Sequence, residues 1–324
     1  MAATSLPSKI LVIGATGVIG KHITSAIAKA SSAGSIKSIS RVSILTSAAT
    51  VSSPQKQPLL SSWKQQGLSV IAGDITNPED VRNAYRDIDT VVCCLGRTAL
   101  LEQIELLRIA EKTDSVQWFF PSEYGTDIEY DATSKHEKPH QNKLKVRAFI
   151  KDEIKRLKVT YVVTGPYADM FLDAKSGHEE AGGFNTQTKQ AVLIGDGNGK
   201  VGLTTMPDVG KLVVAALANP DASVNKALKV QSFVTTPKEI LAEFESQTGA
   251  KFDVKYTAMD DLQAEEKQAW EKGDSLCALL TLRRIWAQGK TLYEKTDNEA
   301  LGLSPQDMEP LSAVVGRHIR GEPC

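Results

Sequence analysis

Short runs of apolar residues, many of them β-branched, alternate with amphipathic stretches over the first 165 residues of the chain. Apolar runs without polar alternation are typical of strands that are buried on both faces of a parallel sheet. The pattern predicts six strands, at residues 10–13, 42–45, 69–72, 90–94, 116–120 and 160–164. It also predicts helices at about 18–30, 78–86, 98–112 and 140–157. This alternation indicates an α/β fold with a doubly wound parallel sheet that helices cover on both sides.

Beyond Pro166 the pattern loosens into shorter elements, which glycine turns at residues 182–183 and 195–199 separate. Helices are expected near 208–218, 237–248, 258–272 and 274–288, and one more near the carboxyl terminus. In doubly wound proteins such a region usually closes over the carboxyl ends of the strands, where ligands bind. We therefore expect a sheet domain over residues 1–165 and a smaller substrate-binding region over 166–324, which partly returns to the sheet.

Composition narrows the class of protein. The 324 residues are 41% hydrophobic and carry a formal net charge of -1, so no basic excess is present to neutralise the phosphates of a nucleic acid. No apolar run reaches membrane-spanning length, and a cytoplasmic protein without a membrane partner is expected. The cysteines, which lack metal-ligand spacing, are expected to be free thiols in a reducing compartment: Cys93, Cys94, Cys277 and Cys324.

A glycine-rich loop with the spacing G-x-x-G-x-x-G follows the first predicted strand and opens a helix. Gly14 permits a tight turn, Gly17 lets backbone amides approach a pyrophosphate, and Gly20 allows close packing of the helix on the strand. Because strand, loop, helix and second strand follow in this order, the loop indicates a Rossmann-type dinucleotide-binding domain. The candidate cofactor-binding residues of the loop are Gly14, Thr16, Gly17, Val18, Ile19 and Gly20.

The end of the second predicted strand decides between NAD and NADP. An acidic residue there would hold a free ribose 2′-hydroxyl and repel a 2′-phosphate. The chain has Thr46 and Ser47 at this point and no acid, which favours NADP(H) as the cofactor. Lys56 and Lys64 follow, and Lys56 is expected to reach back to the phosphate. An ordinary surface position is the alternative interpretation of Lys56.

One lysine lies on the apolar face of a predicted helix. The segment 139–157 carries a core stripe of Val146, Ile150, Ile154 and Leu157, and a step of three back from Val146 reaches Lys143. A partly desolvated ammonium has a lowered pKa, which suits proton transfer near neutral pH. The alternative is a lysine whose stem merely covers the start of the helix.

Three apparent motifs are rejected. Residues 136–140 match H-E-x-x-H, but Pro139 prevents one continuous helix, so both histidines are expected to be solvated. Residues 196–200 begin like a calcium loop, yet Lys200 stands where an oxygen ligand belongs, so a turn is expected. The Tyr-x-x-x-Lys pair of dehydrogenases is missing, since Tyr130 and Lys135 are one residue too far apart. No metal site is expected.

Several segments together resemble the isoflavone reductase-like branch of the NmrA-like atypical short-chain dehydrogenases. Residues 120–125, Phe-Pro-Ser-Glu-Tyr-Gly, are similar to its Pro-Ser-Glu-Phe-Gly signature, and residues 143–147 are similar to its Lys-x-Lys-Val-Arg segment. Residues 54–56 resemble the segment whose lysine contacts the NADP phosphate, and residues 195–198, 205 and 208–210 also resemble the family pattern. The resemblance covers most of residues 8–215. Two departures are Ser47, where the family usually has arginine, and Tyr124, where it has phenylalanine.

The resemblance implies that Lys143 is the catalytic residue and that Ser122 and Tyr124 stand near the nicotinamide. It implies an NADPH-dependent reductase that acts on a conjugated or benzylic centre of a small aromatic or polyketide-like molecule in secondary metabolism. Candidates for an apolar substrate wall are Tyr167, Met170 and Phe171, for which core packing is the alternative. A second hypothesis is an NmrA-like regulatory protein that senses NAD(P) without turnover. The oligomeric state stays open.

Overall fold

A computed structural model describes residues 6–322 of the chain, so the prediction for Cys324 lies outside the described residues. The strands are β1 (Lys9–Ile13), β2 (Arg41–Thr46), β3 (Ser69–Ala72), β4 (Thr90–Cys93), β5 (Trp118–Phe120), β6 (Lys158–Val163), β7 (Gly183–Asn185), β8 (Gln190–Ile194), β9 (Val201–Leu203), β10 (Lys226–Lys229), β11 (Phe233–Thr235) and β12 (Asp253–Thr257).

The α-helices are α1 (Gly20–Ser32), α2 (Ala48–Ser52), α3 (Gln57–Gln65), α4 (Pro78–Tyr85), α5 (Gln103–Glu111), α6 (Gln141–Glu153), α7 (Ala168–Phe171), α8 (Met206–Ala218), α9 (Pro220–Ser223), α10 (Pro237–Thr248), α11 (Met259–Lys272), α12 (Cys277–Ala287) and α13 (Leu311–Arg320). Short 3-10 turns precede α5 and α6, at Arg97–Glu102 and Lys138–His140. No helix within residues 6–322 is long and apolar enough to cross a membrane.

The main sheet has seven strands in the order β10-β6-β5-β4-β1-β2-β3, and every neighbouring pair is parallel. Six of these strands follow the classic Rossmann order, with a switch point between β1 and β4. Side chains of β1 alternate between two buried layers: Ile10 and Val12 face one, Leu11 and Ile13 the other. The predicted doubly wound α/β fold and all six predicted strands are confirmed.

A seventh strand, β10, comes from the carboxyl-terminal half of the chain and pairs with β6. Helix α8, which precedes α9 and this strand, packs on α1 with almost no space between the two backbones. A Cβ on Gly210 would lie 2.7 Å from the carbonyl oxygen of His22 and 2.8 Å from the Cβ of Ala26. This part of residues 166–324 therefore completes one face of the main sheet.

The rest of the carboxyl-terminal half forms its own small core beside the sheet. Strands β12, β8 and β7 make a three-stranded sheet, and β11 pairs with β9 in antiparallel fashion. Phe184, Phe244 and Trp286 are among the side chains buried there. The sequence pattern predicted the longer helices of this region within a few residues, but it missed these strands. In the amino-terminal half it missed α2 and α3, which lie between β2 and β3.

The predicted helix over 139–157 is shorter than expected. It begins at Gln141 after a 3-10 turn and ends at Glu153, so Ile154 and Leu157 lie beyond it, although both still pack in the core. The carboxylate of Glu111 accepts hydrogen bonds from the backbone amides of Lys155, Arg156 and Leu157 at 3.0, 2.7 and 3.1 Å. These amides donate to the end of α5 and not to carbonyl oxygens of α6, so α6 ends here.

Candidate functional site

The glycine loop lies at the carboxyl ends of β1 and β4, where the strand order reverses. Gly14 has a φ of +77°, and a Cβ on it would lie 2.6 Å from the carbonyl oxygen of Cys94. A Cβ on Gly20 would lie 2.1 Å from the carbonyl oxygen of Gly14. Gly20 is therefore required for contact within the loop, whereas the sequence had suggested contact between helix and strand. Gly17 donates to the Gly14 carbonyl at 3.1 Å and is exposed.

The amino terminus of α1 can accept an anion. No side chain caps it, since Ile19 occupies the N-cap position and offers no hydrogen-bond acceptor. The first amides of a helix lack partners within the helix and attract negative charge. Val18 is exposed, and Thr16 and Ile19 are partly exposed, so the outer side of the loop is open. The amides of Lys21 and His22 donate to the carbonyl oxygens of Gly17 and Ile19, at 3.1 Å each, so the open outer side of the loop is the part that fits the pyrophosphate of a dinucleotide.

Lys56 reaches this loop from the start of α3. Its ammonium donates to the carbonyl oxygen of Thr16 at 3.0 Å, which places a positive charge beside the loop. Thr46 ends β2, and Ser47 accepts a hydrogen bond from the amide of Thr50 at 3.2 Å as the N-cap of α2. The structure thus brings Lys56 to the loop and gives the Ser47 hydroxyl a structural partner. Neither Thr46 nor Ser47 is an acid that would repel a phosphate.

Lys143 lies in the first turn of α6 with its side chain 18% exposed. Its ammonium donates to the main-chain carbonyl of Glu123 and lies 4.0 Å from that residue's carboxylate oxygen Oε2. A Cβ on Gly125 would lie 3.5 Å from the same Nζ atom. The amine therefore lies against the backbone that follows β5, at the carboxyl edge of the sheet, and not in bulk solvent.

Burial and the neighbouring charges together lower the pKa of this amine. Burial lowers the pKa of Lys143, the Glu123 carboxylate opposes this effect, and the guanidinium groups of Arg147 and Arg97 add to it. Glu123 is itself buried and is engaged by Arg147, whose Nε donates to Oε1 at 3.0 Å. Arg147 also pairs with Glu129. Because Arg147 holds the carboxylate more closely, Lys143 is only partly compensated.

The loop after β5 connects Lys143 to the glycine loop. Ser122 donates from its hydroxyl to the carbonyl of Leu95 at 2.8 Å and so ties the end of β5 to the end of β4. Tyr124 is buried, and its hydroxyl lies near the thiol of Cys94 without a geometrically satisfied hydrogen bond within residues 6–322. Burial raises the pKa of Tyr124. Ser122 therefore faces the strand ends, whereas the Tyr124 hydroxyl points into the core.

Three residues of this site escaped the sequence analysis. Arg97 follows β4 and is close enough to Lys143 to lower its pKa. Gln103 is buried in α5, and its Oε1 accepts from the amide of Ser122 at 2.7 Å. Glu123 lies within the Pro-Ser-Glu segment but had no role assigned. A polar residue soon after an apolar strand was the available signal for Arg97, whereas no local pattern marks Gln103.

The three candidates for a substrate wall are not brought together. Tyr167 donates from its hydroxyl to the carbonyl oxygen of Tyr124, close to the site. Phe171 is buried against Trp286, with ring centroids 6.0 Å apart. Met170 is 42% exposed. Tyr167 thus contacts the loop after β5, against which the Lys143 amine lies.

The backbone of the two rejected metal-site motifs agrees with the predictions, but one of the histidines does not lie where it was expected. Glu137, with φ -71° and ψ 122°, separates the short helical turns that contain His136 and His140, so no single helix carries both. The expectation that both histidines are solvated was wrong for His140, which is 2% exposed and whose Nδ1 lies 3.0 Å from the carbonyl of Ser134. Residues 195–197 form the predicted turn, and Asp196 accepts from the amide of Asn198. No cluster of potential metal ligands occurs within the described part of the chain.

Comparison with known families matches the sequence model of the NmrA-like family to residues 7–269. The chain belongs to the NmrA-like family. The match covers the whole main sheet, from β1 to β10, and extends into the carboxyl-terminal region. The family resemblance drawn from the glycine loop and the segments around Ser122 and Lys143 is confirmed.

Individual relatives agree with this assignment. The chain is 28% identical to the isoflavone reductase of Glycine max over 297 residues, which cover 88% of this chain and 89% of the relative. It shares its fold with the leucoanthocyanidin reductase of Vitis vinifera, solved in a binary complex with NADPH, at 20% identity and a TM-score of 0.79 over 97% and 100% of the two chains. A structure of AtPrR2 with NADP+ and (+)pinoresinol gives 22% identity and a TM-score of 0.80 over 96% and 99%.

Proposed function

We propose that this NmrA-like protein is an NADPH-dependent reductase of a conjugated or benzylic centre in a small aromatic or polyketide-like molecule. The observation that carries the proposal is the position of the Lys143 amine. It is shielded from water at the carboxyl edge of the sheet, against the segment that Ser122 ties to the end of β4. The names of the relatives, isoflavone reductase and leucoanthocyanidin reductase, support the same reaction class.

The cofactor would be held by the elements at the strand ends. The amides at the start of α1 and the exposed edge of Gly17 would bind the pyrophosphate, and the Lys56 ammonium would attract the 2′-phosphate. When bound, NADPH supplies the hydride. The absence of an acid at Thr46 and Ser47 supports NADP(H) over NAD(H).

Lys143 would act on the oxygen of the substrate that gains negative charge. A buried ammonium with a lowered pKa gives up its proton more readily than an exposed lysine, and it stabilises an oxyanion strongly because little water screens it. The Glu123 carbonyl fixes the direction of the amine, and the tie between Ser122 and Leu95 holds the segment in place. We expect kcat to fall as the pH rises through the lowered pKa of Lys143, since the proton donor is then lost.

The test measures binding and turnover separately. Nicotinamide fluorescence reports NADPH binding, and absorbance at the NADPH band reports its consumption with a panel of aromatic enones and benzylic ethers. Lys143→Ala should bind NADPH as the parent does and lose at least about a hundredfold in turnover. Lys145→Ala, an exposed lysine of the same helix, should retain both activities. Equal turnover in parent and Lys143→Ala would refute the role of the amine, and tight NADPH binding without any turnover would favour a nucleotide sensor.

A further inference from the structure

An apolar cleft in the carboxyl-terminal half is lined by a buried arginine that forms no salt bridge within residues 6–322. Side chains of β7, β8 and α12 line the cleft, including Phe184, Leu193 and Trp286. Its cavity has a volume of about 40 Å³. Since one water needs roughly 10–15 Å³, the cavity accommodates a group of a few heavy atoms.

Arg283 of α12 lines this cleft and is 2% exposed. Its two terminal nitrogens donate to the carbonyl oxygens of Phe171 and Asp173 at 2.9 and 3.2 Å. The guanidinium lies over the ring of Phe171 at 4.6 Å and near that of Trp286 at 5.8 Å. Its Nε is buried without a hydrogen-bond partner in residues 6–322. The positive charge is thus held by two carbonyl dipoles and two aromatic rings.

Arg283 differs from the buried acids of the described chain, each of which has a partner of opposite charge. Every acid that is buried in the described chain lies within 3.0 Å of a basic nitrogen: Glu123 with Arg147 at 3.0 Å, Asp127 with Lys229 at 2.9 Å, Asp169 with Arg317 at 2.9 Å, and Asp208 with Lys211 at 2.7 Å. Arg283 is the one fully buried lysine or arginine there, and no carboxylate lies within 4.0 Å of it. The Asp173 carboxylate raises the pKa of Arg283 and so opposes the effect of burial, but its oxygens lie closer to other cations, 3.2 Å from Lys175 and 3.5 Å from His318.

A second arginine shows that carbonyl oxygens can satisfy every nitrogen of a guanidinium group. Arg156 uses all three of its nitrogens on the carbonyl oxygens of Glu111, Val116, Ala110 and Thr113. Arg283, which also lines the cleft, uses two and leaves its buried Nε without a hydrogen-bond partner within residues 6–322. A buried charge is destabilising unless a partner of opposite charge compensates it. Burial also lowers the pKa of Arg283 to about 10.

We infer that this cleft is a binding site for a small apolar carboxylate, whose anionic group pairs with Arg283 and whose hydrocarbon or aromatic part lies against Phe184 and Trp286. A carboxylate fits the enclosed space and the single free nitrogen, whereas a phosphate group needs more donors than the cleft presents. Trp286 donates from its indole to Thr126 at 2.8 Å, and Thr126 follows Gly125 beside Lys143. The site therefore adjoins the wall of the proposed reductase centre. The inference does not depend on reductase activity.

The experiment titrates the full chain with 3-phenylpropionate and with its methyl ester by isothermal calorimetry. The acid should bind ten- to a hundredfold more tightly than the ester, as expected for a charge-assisted hydrogen-bonded pair of about 1.5–3 kcal/mol. The indole ¹⁵N–H signal of Trp286, assigned through Trp286→Phe, should shift on addition of the acid. Equal binding of acid and ester, or no binding of either, would overturn the inference.

Two variants place the carboxylate. Arg283→Met should lose the preference for the acid, and Lys143→Ala should keep it, since Lys143 is a partly buried cation of the adjoining centre to which an anion could also bind. Should Arg283→Met fail to fold, Gly199→Leu fills the cleft and should abolish binding, because Gly199 lines the cleft and a Cβ on it would lie 3.7 Å from the Ala287 carbonyl oxygen, which is an ordinary contact. Loss of binding in Lys143→Ala with retention in the cleft variants would assign the anion to the reductase centre and refute the inference.

Discussion

Replacing Gly20 by alanine in the dinucleotide loop should destabilise the protein. The added Cβ would lie 2.1 Å from the carbonyl oxygen of Gly14 and 2.9 Å from that of Ala15, so backbone and not side chain must move. Moving the Gly14 carbonyl also breaks the hydrogen bond that it accepts from Gly17 at 3.1 Å. The substitution therefore combines steric overlap with the loss of one hydrogen bond.

The magnitude follows from these contributions. Overlap in a tightly packed region costs about 2–3 kcal/mol, the lost hydrogen bond adds about 1 kcal/mol, and alanine regains up to about 1 kcal/mol of helix propensity. The free energy of unfolding should thus fall by about 2–3 kcal/mol, a large part of the roughly 5–15 kcal/mol typical of a domain. Urea denaturation followed by circular dichroism measures this change, provided that the slope against urea concentration is unchanged.

Gly96→Ala is the matched control. Gly96 precedes the 3-10 turn after β4, has a φ of -72°, and a Cβ on it would meet no atom within 4 Å. Alanine there should leave the free energy of unfolding unchanged or raise it by up to about 1 kcal/mol, because the unfolded chain loses freedom. A Gly20→Ala variant as stable as the parent, or a Gly96→Ala variant that is equally destabilised, would refute the steric argument.

Three further predictions concern charge, pH and a buried hydroxyl. Lys56→Met should weaken binding of NADPH about tenfold while binding of NADH changes little, as fluorescence titration would show; equal loss for both would contradict the role of its ammonium beside the loop. His178 lies 2.5 Å from Glu265, and this hydrogen bond raises the pKa of the imidazole above its ordinary value of 6.5. The protonated imidazole therefore stabilises the folded state fully below pH 6.5, and this stabilisation is lost as the pH rises through the raised pKa. His178→Gln should therefore be destabilised relative to the parent at pH 5.5 but not at pH 9 in urea denaturation, and a pH-independent difference would be contrary evidence. Tyr124→Phe should leave the free energy of unfolding unchanged or raise it by up to about 1 kcal/mol, because the Tyr124 hydroxyl has no hydrogen-bond partner within residues 6–322. Tyr85→Phe is the control: it loses a hydrogen bond of 3.2 Å to the carbonyl oxygen of Leu106 and should lower the free energy of unfolding by about 1 kcal/mol. A lower thermal midpoint for Tyr124→Phe than for Tyr85→Phe would count against this reasoning.

Much of the main sheet could be predicted because its strands are buried on both faces and must be continuously apolar. The first strand, with Ile10 to Ile13 fully buried, shows this directly. The strands of the carboxyl-terminal half escaped prediction because they are short and mixed in polarity. β12, for example, exposes Tyr256 and two further residues and buries only Thr257 completely. Such a strand forms because β8 offers a partner, not because its sequence demands it.

The sequence by itself determined the features that depend on local chemistry. Apolar runs specify buried strands, the three glycines specify a loop that backbone can approach closely, and a spacing of three from Val146 places Lys143 on the inner face of a helix. Contacts between residues distant in the chain were decided only by the tertiary structure. The carboxylate of Glu111 ends α6, and carbonyl oxygens surround the Arg283 guanidinium where no carboxylate of the described residues lies within 4.0 Å. Sequence could not predict either effect, because each requires atoms that lie more than 40 residues apart in the chain. Periodicity describes a helix face or a strand, but electrostatic compensation depends on which faces meet.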